Sequence, residues 1–251
     1  MIEHLSYSSI TLYLDCAEAW RRKYILKEAT TSTPALAFGS AFHGAIEAQL
    51  RGECSAVDAW PGAWARAIER DPIDWGIDTP ETHANAGLRL LSSEGVKAAV
   101  DGLTVKRDEA GPMVERKVSL SVPGVPVPVI GYIDFIAADG VPCDLKTSSR
   151  AWGDAKAQDS LQGLFYLAAL NQAGLNFHGW RFRHVVFVKT KEPKVQVLEN
   201  RHTPAELFFL FRVVQEVWRS VERGAFPLNP SSWKCTPQYC DFWAGCRGRY
   251  A

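Results

Sequence analysis

Two short apolar runs, "VPVIGYIDFIAA" and "VPCDLKTSS", flank Asp139–Gly140 and fix what this stretch of the chain can be. Their β-branched content and the Asp-Gly between them predict a β-hairpin. Asp134, Asp144 and Lys146 nevertheless stand inside these runs, where charged side chains are rarely found without something to compensate them. Asp144 and Lys146 are two apart, so on a strand their side chains leave the same face. The turn decides whether Asp134 joins them. A two-residue Asp139–Gly140 loop pairs Ala138 with Val141, hence Asp134 with Leu145, and sends Asp134 to the opposite face. A three-residue loop of Ala138, Asp139 and Gly140 pairs Ala137 with Val141 and therefore Asp134 with Asp144. Glycine in the last loop position suits the left-handed residue of that hairpin type, and this register is the one expected.

Two carboxylates facing one another are unfavourable unless a cation sits between them. Clustered carboxylate oxygens are hard ligands suited to Mg²⁺ or Mn²⁺. Lys146 beside them could position a water and help deprotonate it. An Asp–Lys ion pair on an exposed hairpin face fits the local residues equally well.

Around the hairpin the texture alternates. "SYSSITLYLDCAEAWRRKYILKEA" predicts a capped helix, and "ALAFGSAFHGAIEAQLRG" a second one after Gly39 that ends near Gly52. Residues 56–100 carry helical periodicity broken near Asp71–Pro72 and Thr79–Pro80. "MVERKVSLSV" adds a strand before the hairpin. "DAKAQDSLQGLFYLAALNQAG" predicts a helix, "GWRFRHVVFVKT" and "KVQVLEN" two strands, and "TPAELFFLFRVVQEVWRSVERG" a long helix capped by Thr203. The order predicts an α/β domain with helical additions.

The 251 residues are 47% hydrophobic with a formal net charge of zero. Bulk positive charge therefore cannot hold nucleic acid here; any positive groups must be local. Arg21–Lys23, Arg181–His184 and Lys189, Lys191 and Lys194 are the candidates, each read singly as a solvated face. No run approaches a membrane span, and the N-terminus lacks the basic and apolar segments of a signal peptide, so a cytoplasmic location is expected.

"GYIDFI…CDLKT" resembles the PD-(D/E)xK nuclease superfamily, specifically its RecB-like branch, with CRISPR-associated and AddB-type nuclease domains the nearest in kind. The resemblance implies a restriction-endonuclease-like core: a mixed β-sheet flanked by helices, with an N-terminal helical region and a Cys-rich tail. It makes Lys146 the catalytic lysine and Asp134, Asp144 and the Leu145 carbonyl metal ligands. "GSAFHGAIEAQL" is similar to the family helix whose histidine completes the metal shell, which maps to His43. Glu47, one turn on, is expected to face solvent. "LQGLFYL" matches the Q-x-x-x-Y element, with Gln162 near the metal site and Tyr166 meeting the DNA backbone from one helix face. Glu115 is a weaker candidate for a supporting acid.

Of six cysteines, three crowd the tail as "CTPQYCDFWAGC". The same relatives tie their ends with an iron–sulfur cluster, which implies Cys16, Cys235, Cys240 and Cys246 as ligands of a [4Fe–4S] cluster, zinc being the second choice. The four-residue spacer between Cys235 and Cys240 departs from the commoner C-x₂-C. Cys143 is expected in the core, and Cys54 is incidental. The resemblance thus implies one domain over residues 1–251, with 1–30 and 230–251 forming the cluster-binding part and 53–110 a helical insertion. Its activity would be metal-dependent hydrolysis of DNA phosphodiester bonds, as an exonuclease in DNA processing, recombination or repair. DNA with single-stranded character is the implied partner, a helicase or integrase beside it is left open, and no membrane is involved. The competing reading is a DNA-binding or scaffold module that keeps the fold without turnover.

Overall fold

A computed structural model describes residues 2–248. They group into two compact units: Met1–Thr31 with Ser119–Gly131 and Ala205–Ala251, and Ser32–Val118 with Tyr132–Pro204.

In the first unit, strand β1 (Leu5–Ser6) lies parallel to the start of β5 (Val129–Ile136), with Leu5 opposite Val129. Ser6 and Ser9 form a reciprocal capping box that starts α1 (Tyr7–Asp15). The expected single N-terminal helix is in fact two. Cys16 is extended (φ −164°, ψ 108°), so it ends α1 and begins α2 (Ala17–Tyr24). The C-terminal segment is laid against these helices: the Tyr13 hydroxyl donates to the Ala225 carbonyl, and Trp20 stacks on Phe226 at 6.0 Å.

In the second unit, α3 (Pro34–Arg51) starts earlier than predicted. Thr33 caps it through the Leu36 N–H and Pro34 occupies the first turn, so Gly39 lies inside the helix. Gly52 ends it in the left-handed region (φ 80°). Three further helices follow, α4 (Ala56–Arg70), α5 (Pro80–Ser92) and α6 (Glu94–Asp101); the two expected break points bound one gap, 71–79, and a second break falls at Ser93. A small pair, β2 (Arg107–Asp108) and β3 (Gly111–Pro112), precedes β4 (Val114–Leu120), which pairs with β5.

The sheet continues through β6 (Pro142–Ser148), β7 (Arg181–Val188) and β8 (Lys194–Arg201) in the order β5-β6-β7-β8. It is mixed: β5/β6 and β7/β8 are antiparallel, β6/β7 parallel. The parallel connection carries helices, as such crossovers require. The helix predicted there splits at Asp159–Ser160 into α7 (Asp154–Gln158) and α8 (Leu161–Gln172). The core lies between this sheet and the helices, where Phe38, Phe42 and Ile46 of α3 meet Trp60, Trp64, Phe135, Leu145 and Phe187.

After β8, Pro204–Glu206 forms a 3₁₀ turn rather than the first turn of an α-helix, so α9 runs Leu207–Glu222 without Thr203 as its cap. A short α10 (Trp243–Cys246) closes the described chain. The architecture is the mixed α/β one expected. Among the described residues no helix is long and apolar enough to cross a membrane.

Candidate active site

The hairpin adopts the three-residue register. Ile136 stands opposite Pro142 and Phe135 opposite Cys143, and one further step in that register sets Asp134 opposite Asp144. The Ala137 N–H donates to the Val141 carbonyl, the Gly140 N–H closes the turn on Ala137, and Gly140 has φ 83°. A side chain at Gly140 would also strike the Phe177 carbonyl, at 2.9 Å.

Asp134 is anchored: its Oδ2 accepts the Leu145 N–H, so its own carboxylate holds the backbone between the other two site residues. Asp144 is 3% exposed. The Lys146 ammonium lies 2.8 Å from each Asp144 oxygen, but only the approach to Oδ1 has hydrogen-bond geometry. Gln162 Nε2, brought from α8, donates to the same Oδ1 at 3.0 Å. Oδ2 is left buried without a hydrogen-bond partner. Burial, only partly countered by Lys146, pushes the Asp144 carboxyl up to about 6.

His43 reaches the hairpin because α3 has two faces. Ala37, Phe38, Ala41, Phe42, Ala45 and Ile46 are buried, and Phe42 meets Phe187 of β7 edge-on at 4.9 Å. On the adjoining edge, His43 Nδ1 lies 3.5 Å from Asp134 Oδ1. Burial works against charge on this imidazole, but the carboxylates of Asp134 and Asp144 outweigh it and hold its pKa above the ordinary value. A cation at His43 would take the neutral imidazole, so it competes there with the proton. Glu47 is engaged by Arg51 at 2.6 Å and plays no part in orienting His43.

Tyr166 is buried, and its hydroxyl donates to the Tyr132 carbonyl at 2.7 Å while receiving Gln162 Nε2 at 3.3 Å. The hydroxyl expected at the DNA backbone is thus committed to joining α8, β5 and Gln162. Glu115 enters the same neighbourhood. It is half-buried with φ 50°, a conformation that side chains other than glycine seldom adopt. Burial, then the nearby Asp134 and Glu47, push its carboxyl up to about 7. No sequence signal marks a positive φ in a strand.

Lys189, expected as surface charge, lies against the core. Its ammonium stands 4.1 Å from the centroid of the Phe38 ring, and burial lowers its pKa. In the other basic patches the arginines are paired: Arg21 and Arg22 with Glu18, Arg183 with Asp139 and Glu199.

Among the described residues no group of three or more His, Cys, Asp or Glu side chains is closed into a ligand set. The donors nevertheless suit a hard divalent cation: two carboxylates, an imidazole beside them, and Asp144 Oδ2 with an unused buried lone pair. In the other unit, Cys240 is governed first by burial, which raises its thiol pKa. Cys16, Cys235 and Cys246 act on it electrostatically, but among the described residues these thiols do not form a group that could hold a metal ion. Cys143 is fully buried, its thiol pushed up to about 12, and Cys54 is exposed.

No curated protein matches the chain. Among solved structures, a "Putative exonuclease" from Eubacterium rectale superposes with a TM-score of 0.59 at 13% identity, covering 99% of this chain and 89% of its own. That likeness concerns the fold. The structure of SSO0001 aligns over 97% of this chain and 96% of its own at 14% identity, with a TM-score of 0.36 that carries no argument. The model of the PD-(D/E)XK nuclease superfamily matches residues 4–247. With its mixed sheet and its DxK hairpin at Asp144 and Lys146, the chain belongs to the PD-(D/E)XK nuclease superfamily.

Proposed function

We propose that the chain is a metal-dependent deoxyribonuclease of the RecB-like branch, acting as an exonuclease on DNA with single-stranded character in DNA processing, recombination or repair. One observation supports this above the rest: Asp134, Asp144, Lys146, His43 and Gln162, from four elements, lie together on one hairpin face. The name of the Eubacterium rectale neighbour agrees with it. A cytoplasmic location fits this role.

A Mg²⁺ or Mn²⁺ ion held by His43, Asp134, Asp144 and the Leu145 carbonyl would polarise the phosphate and lower the pKa of water. The chain's own residues do the rest. Asp144 holds the Lys146 ammonium at 2.8 Å, where it steadies the attacking water and the charge growing on phosphate oxygens. The water oxygen bonds to phosphorus, one P–O ester bond breaks, and a water proton leaves with the released hydroxyl. Gln162 fixes the orientation of Asp144, and Tyr166 fixes Gln162.

We read the two units as one nuclease domain in which Cys16, Cys235, Cys240 and Cys246 hold a [4Fe–4S] cluster. The extended break at Cys16 and the electrostatic effect of the other three cysteines on Cys240 support that reading. Anaerobically purified protein should be brown, with four irons per chain as that cluster requires. Colourless protein with stoichiometric zinc would replace it.

Cleavage of end-labelled single- and double-stranded DNA in Mn²⁺ or Mg²⁺ tests the nuclease reading. The wild type should shorten labelled strands from one end, and Asp144→Asn should not. A metal-loaded wild type that cuts nothing hands the site to a binding module without turnover.

A further inference from the structure

Within the larger unit, α3 and α4 enclose a cleft of about 500 Å³ that begins at His43. Its floor is made of small residues. A Cβ placed on Gly44 would lie 3.7 Å from Ala63 Cβ, so the two helices run close and leave the groove above them open. Glu47, Glu53 and Glu115 line it together with three arginines. Two of the arginines are satisfied internally: Arg51 pairs with Glu47 at 2.6 Å, and Arg70 pairs with Asp71 at 3.0 Å and reaches Ser40 at 3.4 Å. Arg66 is different. It is exposed on the groove, and no described residue gives it a hydrogen bond or an ion pair. The lining also contains no Phe, Tyr or Trp.

We propose that this cleft carries the backbone of the nucleic acid strand away from the metal site, with Arg66 taking a phosphate next to the one being cut. A guanidinium matches phosphate oxygens through paired N–H donors, and a small-residue floor lets a sugar–phosphate chain approach. Without aromatic side chains there is no platform on which bases could stack, so the cleft reads backbone charge and not sequence. The inference rests on the nuclease reading above, and it adds a positioning residue that the motif does not contain.

The test measures anisotropy of a fluorescent single-stranded oligonucleotide across a salt series in EDTA, and steady-state cleavage in Mn²⁺. The proteins compared are wild type, Arg66→Ala, Arg66→Lys and Arg89→Ala, an exposed arginine of α5 outside the cleft lining. Arg66→Ala should weaken binding about 5- to 10-fold and lower the slope of log Kd against log salt by about 0.7, the share of one phosphate contact on a single strand. It should raise KM with kcat within about twofold, irrespective of oligonucleotide sequence. Arg66→Lys should restore the slope, and Arg89→Ala should match wild type. An unchanged slope and KM in Arg66→Ala, with wild type binding and cutting, overturns the inference while the nuclease reading stands. So does an equal loss in Arg89→Ala, which would make the effect one of general charge. A wild type that neither binds nor cuts removes both.

Discussion

Asp144, the carboxylate proposed to hold the metal, is placed where its charge opposes stability. Its carboxyl pKa in the folded chain is about 6, against an ordinary 3.8. A raised folded pKa means the native state binds the proton more tightly, so stability is lost as pH rises through that interval. The shift corresponds to at most about 3 kcal/mol of destabilisation above pH ~6. Asp144→Asn should therefore abolish cleavage and yet raise Tm in EDTA near pH 8 by about 2–4 °C, a net gain of roughly 1 kcal/mol once Lys146 has lost its partner. A lower Tm for the variant would show that the Lys146 pair outweighs burial. Lys146→Ala should cost at least about 10²-fold in cleavage while DNA binding persists. Equal cutting by that variant would remove Lys146 from the mechanism. Both residues are legible in sequence, because residues two apart on a strand must share a face. Glu115 is legible only as an acid: its positive φ and its shift to about 7 come from surroundings that no local pattern encodes.

Elements position these residues through contacts with little slack. Gly163 of α8 faces Phe182 of β7, and an added Cβ would fall 2.8 Å from the ring. Gly163→Ala should cost about 1–3 kcal/mol by overpacking. It should also reduce cleavage, because the displaced helix carries Gln162 to Asp144. Thermal melts and turnover measured together would check this, and an unchanged Tm would mean that Phe182 yields freely. At this scale the sequence supplied the kinds of elements and most of their ends, through Pro, Gly and cap residues. It missed the breaks at Cys16 and at Asp159–Ser160, where no glycine or proline interrupts a helical pattern. It also started α3 too late by treating Gly39 as punctuation, although Thr33 and Pro34 already held the cap.

For the molecule as a whole, buried titratable groups oppose one another. Asp144 and Glu115 favour the native state as pH falls, whereas His184 does the reverse. His184 is 1% exposed between Trp152 and Phe182, and both ring nitrogens lack hydrogen-bond partners. Burial, with Lys146 and His202 nearby, lowers its pKa from 6.5 to about 4. The unfolded chain then takes the proton first, so this contribution is intact above the ordinary histidine pKa and is lost as pH falls toward about 4. The loss amounts to at most about 3 kcal/mol. Urea unfolding of wild type and His184→Phe at pH ~7 and ~4.5 should show the gap between them shifting in favour of the variant at the lower pH. A pH-independent gap would mean that His184 does not titrate within the fold.

The sequence by itself determined the hairpin, its three-residue turn, the Asp144–Lys146 pair and the Gln162–Tyr166 pair. Each depends on a local period of two or four residues and on the chemistry of one glycine. Only the tertiary structure decided that His43 reaches Asp134, that Tyr166 is spent on Tyr132, and that Arg66 stands uncommitted over a groove. The first and last of these follow from how Phe42 seats α3 on Phe187 and how α4 lies along α3. Packing between segments far apart in the chain depends on the shapes of many side chains at once, and no short stretch of sequence contains it.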